Sequence, residues 1–136
     1  MDNISKEERS RVMAAVKQKD TKPEMVVRRF LHRIGFRYRL HNSGLPGKPD
    51  LVLPRYKSVI FVHGCFWHGH TDVSCRLSRI PKSNIDFWKK KISINQTRDE
   101  RIINELHALG WRVFVIWECQ VNDESVLKTL VNLLTA

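Results

Sequence analysis

The run KPDLVLPRYKSVIFVHGCFWHGH, Lys48 to His70, decides the fold. Leu51–Leu53 and Val59–Val62 are apolar and flank Pro54-Arg55-Tyr56-Lys57-Ser58, a turn-like spacer, so the segment reads as a hairpin. The second strand runs straight into Phe61–His70, ten positions holding three histidines, one cysteine and the adjacent aromatics Phe66 and Trp67. Those two rings are either core residues beside a metal cluster or exposed wedges held rigid by one.

Upstream, Thr21-Lys22-Pro23-Glu24 has the form of a capping box, and Val27, Phe30, Leu31 and Ile34 continue it as one apolar helical stripe that Gly35 stops. A similar start, Ser5 with Glu8, predicts a short N-terminal helix to Val16. Phe36, Tyr38 and Leu40 alternate with Arg37 and Arg39, which predicts a strand, and HNSGLPGKP is a loop by composition. Downstream come a long helix from about Ser83 to Leu109, with Ile102, Ile103, Leu106 and Leu109 toward the core, and Gly110 to end it. A strand, Val113 to Trp117, and a closing helix, Val126 to Leu134, complete the set. Strands in mid-chain with helices on both sides predict an α/β fold with a central mixed sheet, in a single domain over residues 1–136.

The chain has 136 residues, 42% of them hydrophobic and 28% charged, which favours a globular domain over disorder. No apolar run approaches the roughly 20 residues of a membrane span, and MDNISKEERS lacks the apolar centre of a secretory signal, so a cytoplasmic location is expected. A formal net charge of +10 favours a polyanionic partner, with nucleic acid first. Three cysteines, an odd number without a secretion signal, argue against a disulfide framework and toward metal ligation.

Cys65, His70 and Cys75 are separated by four residues each, and Cys119 follows at the end of a later strand; thiolate and imidazole are the donors zinc prefers. The competing reading makes Cys65 and Cys119 buried apolar thiols. Asp50 precedes one strand and Val62-His63 ends the next, an arrangement suited to a Mg²⁺ ion held by few protein oxygens; a plain turn carboxylate is the alternative. His63 and His68 can exchange protons near neutrality, although spacing alone leaves open whether His68 or His70 would ligate zinc. Glu24 is explained by capping, with positioning of metal-bound water as a further role. On the long helix, Trp88, Lys91, Asn95 and Arg98 fall on one face with a composition fit for stacking, base and phosphate contacts. Phe66 and Trp67 suit insertion between base steps, which is cheapest at a mismatch.

Together, PGKPDLVLP, VIFVHGCFWHGH, DFWKKK and GWRVFVIWEC resemble the very short patch repair (Vsr-type) endonucleases, in order and spacing from about Ser10 to Cys119. The resemblance implies a PD-(D/E)xK-like nuclease fold with a structural zinc site. It implies Mg²⁺-dependent nicking 5′ to the mismatched thymine of a T:G pair left by 5-methylcytosine deamination. It further implies Asp50 as the Mg²⁺ ligand, His63 and His68 as catalytic histidines with His68 the base, and Glu24 at metal-bound water. Cys65, His70 and Cys119 match zinc ligands, which assigns His70 rather than His68. Phe66, Trp67 and Trp88 match intercalating aromatics, Met13 a minor-groove wedge on an N-terminal DNA-contacting arm (residues 1–20), and Lys91 and Asn95 base-contacting positions. The family's second zinc cysteine usually stands where this chain has Asp72, so Cys75 is expected to replace it through a longer loop, with Asp72 as an alternative oxygen ligand. Val62 stands where a threonine can occur, leaving only its backbone carbonyl for Mg²⁺. Double-stranded DNA is the implied partner of a monomeric bacterial enzyme, acting at the nucleoid, with mismatch-repair proteins as further candidates. The rival readings are a restriction-like nuclease of the same fold and a non-catalytic zinc-stabilised DNA-binding protein.

Overall fold

The computed structural model describes residues 20–72 and 74–136. The expected N-terminal helix, with Ser5, Glu8 and Met13, lies outside the described residues. The predicted hairpin is present: β2 (Leu51–Leu53) pairs antiparallel with β3 (Ser58–His63), with Leu51 opposite Ile60. A short β1 (Arg39–Leu40) adds antiparallel to β2, and β4 (Arg112–Trp117) pairs parallel with β3, giving a mixed four-stranded sheet in the order β1-β2-β3-β4. The parallel pair needs a long crossover. That crossover contains the Gly64–Asn84 loop and helix α2 (Ile85–Ala108).

Alternate strand residues face opposite ways, so the sheet supplies two cores. Leu51, Leu53, Ile60 and Ile116 pack against α1 (Lys22–Arg33) and α3 (Glu124–Leu134) through Val27, Leu31, Leu127, Leu130 and Leu134. Val52, Val59 and Phe61 point the other way, onto Leu106 and Ile102 of α2. Helices thus cover both faces, as expected of an α/β domain. No helix among the described residues is long and apolar enough to cross a membrane.

Four local expectations need correction, all near element ends. Thr21 Oγ1 accepts from the Glu24 N–H, but the Glu24 side chain reaches back to the N–H of Asp20 rather than Thr21, so the capping box is only half formed. Ile34 is 47% exposed because α1 stops at Arg33 and the chain reverses at Gly35, φ +104°, sending Phe36 inward in its place. Leu109 is likewise exposed, at the C-cap of α2; past Gly110, Trp111 packs on the core instead. The strand expected over Phe36–Leu40 shrinks to two residues. Phe36 joins the core, and the Tyr38 hydroxyl donates to the Arg28 carbonyl, which ties this segment to α1.

Helix α2 also presents a different face from the one expected. Trp88, Ile92, Asn95 and Leu106 are its buried residues, and Asp99 and Ile102 continue the same line, a 4-3-4-3-4 spacing that follows 3.6 residues per turn. The Trp88-Lys91-Asn95-Arg98 line crosses this face obliquely and leaves Arg98 exposed.

Candidate active site and metal cluster

One end of the sheet collects the chemistry. Asp50 lies one residue before β2, and its Oδ2 accepts from the Val62 N–H of β3 at 2.7 Å. Burial pushes the Asp50 carboxyl up to about 7 even though the Val62 bond opposes the shift; the neighbouring Glu24 charge adds to it. Glu24, projecting from the first turn of α1, is 1% exposed. Its Oε1 accepts from the Asp20 N–H, and its Oε2 accepts from His41 Nε2 at 2.7 Å and from Arg28 Nη1 at 3.3 Å. Two carboxylates, Asp50 and Glu24, therefore meet where the hairpin approaches α1.

The hard oxygen donors and desolvated carboxyl of Asp50 fit a small divalent cation with water completing its shell. Asp20, Glu24 and His41 also bring three ligand-type atoms together. Arg28 Nη1 sits 2.7 Å from Asp20 Oδ1 and 3.3 Å from Glu24 Oε2, so a guanidinium already supplies the positive charge of that second group.

At the end of β3, His63 and His68 stack with ring centroids 3.9 Å apart and planes 2° from parallel. His63 is buried, its Nδ1 without a hydrogen-bond partner among the described residues. Burial, reinforced by the neighbouring His68, lowers its pKa to about 4 and keeps the ring neutral near pH 7. His68 Nδ1 lies 2.6 Å from Asp99 Oδ2. With the Asp99 carboxylate accepting Nδ1–H, the opposite nitrogen, Nε2, is left as proton acceptor. Two more bonds from α2 grip the same loop: Asn95 Nδ2 donates to the Trp67 carbonyl and Gln96 Nε2 to the Gly69 carbonyl, each at 2.8 Å. Three consecutive loop residues are thereby fixed to one helix.

Beyond Trp117, whose ring stacks on His70 at 4.2 Å and meets His63 edge-on, lies the sulfur cluster. The parallel register of β3 and β4 brings Cys65 and Cys119, just past the two strand ends, side by side. The Glu118 carboxylate accepts from the Cys65 N–H, and Cys119 Sγ lies 3.5 Å from His70 Nδ1. Donor atoms of Cys65, His70, Cys75 and Cys119 all fall within 4.8 Å of one another. Tetrahedral zinc with Zn–S near 2.3 Å needs sulfurs about 3.8 Å apart, so this donor set fits. Burial opposes ionisation of Cys75, but hydrogen bonds with His70, Cys65 and Cys119 outweigh it and hold the thiol at about 6. Cys75 rather than Asp72 completes the cluster; Asp72 Oδ1 instead accepts from the N–H and hydroxyl of Ser74.

The aromatics pack on one another. Phe66 and Trp67 are half-buried, edge-to-face at 5.0 Å, and both lean on Trp88 at 5.4 and 6.0 Å. Trp88 and Asn95, both expected to face DNA, are instead 4% and 5% exposed, the ring supporting the other two and the amide holding the Trp67 carbonyl. Lys91 is partly exposed one turn from Trp88. Asp99 and His41 escaped sequence reasoning. A lone carboxylate on the buried line of α2 was the available signal for Asp99; His41, in a polar loop, gave none.

Comparison with known proteins adds to this geometry. The family model described as DNA mismatch endonuclease Vsr matches residues 1–75. The chain is 49% identical to the type II nicking enzyme V.XorIIP of Xanthomonas oryzae pv. oryzae, covering 93% of this chain and 91% of that protein. It is 46% identical to the type II nicking enzyme V.NmeAIP of Neisseria meningitidis, covering 96% and 91%. To the DNA mismatch endonuclease Vsr of Escherichia coli K12 it is 41% identical, covering 95% and 85%. With nicking enzymes and a mismatch endonuclease matched over nearly the whole chain, this protein belongs to the Vsr family and is a DNA endonuclease.

Proposed function

We propose that the protein nicks double-stranded DNA 5′ to the mismatched thymine of a T:G pair within a methylation-site sequence, leaving a 5′-phosphate and a 3′-hydroxyl. One observation carries this reading: the half-buried rings of Phe66 and Trp67 immediately precede His68, and α2 anchors all three through Trp88, Asn95 and Asp99. The rings insert beside the mispaired step, where unstacking is cheapest, and the same loop brings an imidazole to the backbone. The +10 charge supplies phosphate attraction, Lys91 included. The domain, of PD-(D/E)xK type, acts as a monomer in the bacterial cytoplasm; residues 1–20, with Met13, supply further DNA contacts, and mismatch-repair proteins are its candidate partners.

His68 Nε2 takes the proton of the attacking water while Asp99 holds the ring and balances the imidazolium formed. The water oxygen bonds to phosphorus and the bond to the 3′-oxygen breaks, the departing 3′-alkoxide taking a proton from solvent while the His68 imidazolium releases its own to solvent. Neutral His63 stacks on His68 and fixes the plane of that ring. Asp50, the Val62 carbonyl and Glu24 through water would hold Mg²⁺, which when bound supplies Lewis-acid stabilisation of the phosphoryl charge. Cys65, His70, Cys75 and Cys119 would hold a structural zinc ion.

Paired duplexes, one with T:G and one with T:A in candidate methylation sites, test the assignment when incubated with the protein and Mg²⁺. A single nick 5′ to the mismatched T is expected. Equal cutting of both duplexes would instead make it a restriction-like nuclease. Asp99→Asn should lower the nicking rate at saturating substrate about 100-fold or more, with mismatch affinity unchanged; single-turnover kinetics beside a binding titration checks this.

A further inference from the structure

His41 belongs to none of the catalytic or zinc motifs described above, yet it touches the Glu24 carboxylate through its ring and the Asp50 main chain through its backbone, the two residues proposed to hold the metal. Its Nε2 is 2.7 Å from Glu24 Oε2, and its own N–H donates to the Asp50 carbonyl at 3.2 Å. One residue thus joins the first turn of α1 to the start of β2. Its backbone adopts φ +46°, in the left-handed region that a side chain with a Cβ enters only at a cost. A histidine held there indicates that the position is fixed by its contacts, and those contacts are the tethers to Glu24 and Asp50.

Without such a tether, two carboxylates meeting in a buried setting repel and swing apart or share a proton. His41 and Arg28 approach Glu24 Oε2 from their own sides and hold that oxygen in place. We propose that His41 is a positioning residue of the cleavage centre: its imidazole fixes the Glu24 carboxylate beside Asp50 and thereby sets the centre's affinity for a divalent cation. This rests on Asp50 and Glu24 being the metal site.

The test uses the full chain as wild type, His41→Ala, His41→Gln and Asp50→Ala. Each is titrated with Mn²⁺ without DNA, the free ion being read by its paramagnetic resonance, and nicking of the T:G duplex is measured across Mg²⁺ concentrations. Removing a side chain that orients a metal ligand shifts metal affinity by roughly 10–100-fold. His41→Ala should raise the half-saturating concentration of both ions within that range, and nicking should recover at high Mg²⁺. His41→Gln, whose amide N–H can reach Glu24 from the same backbone, should restore most of the affinity.

Unchanged Mn²⁺ affinity and Mg²⁺ dependence in His41→Ala, with both lost in Asp50→Ala, would overturn the role of His41 alone. Equal impairment of His41→Ala and His41→Gln, with matching losses of melting temperature and of mismatch binding in EDTA, would show a purely structural residue and also overturn it. Wild-type Mn²⁺ affinity and nicking in Asp50→Ala would show that the metal-centre reading itself has failed.

Discussion

Asp50→Ala is expected to reduce T:G nicking by about three orders of magnitude, since a catalytic divalent ion contributes several kcal/mol and each 1.4 kcal/mol is tenfold in rate. Mismatch binding in EDTA should change little, because no described DNA-facing residue leans on this carboxyl. The Val62 N–H loses its acceptor, but it sits at a strand end rather than in the core. Single-turnover nicking and an EDTA binding titration separate the two effects. Nicking at the wild-type rate would remove Asp50 from the centre.

The same residue dictates a pH dependence. Its carboxyl, raised by burial to about 7, must lose its proton to ligate a cation, so Mg²⁺ affinity should climb as pH rises through about 7. In the metal-free protein the sign is opposite for stability. The folded state holds this proton more tightly than the unfolded chain, whose carboxyl has a pKa near 3.9, so stability falls between about pH 4 and pH 7. Melting curves with and without Mg²⁺ across that window should diverge as pH increases.

Loss of the zinc ion proposed for the Cys₃His cluster is the second large expected effect. Zinc on a Cys₃His set contributes about 10 kcal/mol or more, comparable to the whole stability of a domain this size. A tight chelator at neutral pH should therefore unfold the protein, and elemental analysis should find one zinc per chain before treatment. Cys119→Ala is the sharper variant, because that thiol is exposed and its truncation forfeits little packing. A large drop in melting temperature then reports the ion rather than a cavity. A variant that stays zinc-loaded and melts like wild type would contradict this assignment.

Sequence pattern located the hairpin and the three described helices because apolar spacing reflects burial directly, and it singled out Cys65, Cys75 and Cys119 as metal-ligand candidates because few side chains suit soft-metal ligation, leaving His68 and His70 undivided until the family resemblance and the fold, which groups His70 with the three thiols, were set beside it. It failed at helix ends, where Ile34 and Leu109 follow the apolar period but a left-handed glycine turns the chain before they can pack. It also misphased α2: a line through Trp88, Lys91 and Asn95 and one through Trp88, Ile92 and Asn95 share two residues, and only packing chooses between them. The partners Glu24–His41 and His68–Asp99 were invisible for a different reason. They lie 17 and 31 residues apart, and nothing local to either residue encodes the meeting.

The three bonds from Asn95, Gln96 and Asp99 to consecutive loop residues bear on how substrates are told apart. These bonds couple Trp67 to His68, so under the proposed insertion a base step that refuses the rings also displaces the imidazole from its attack geometry. An error of about 1 Å there costs on the order of a hundredfold in rate. Correct base pairs should therefore be rejected after they are bound, in the maximal turnover rate more than in affinity. Abundant undamaged DNA can then be held and searched without being cut.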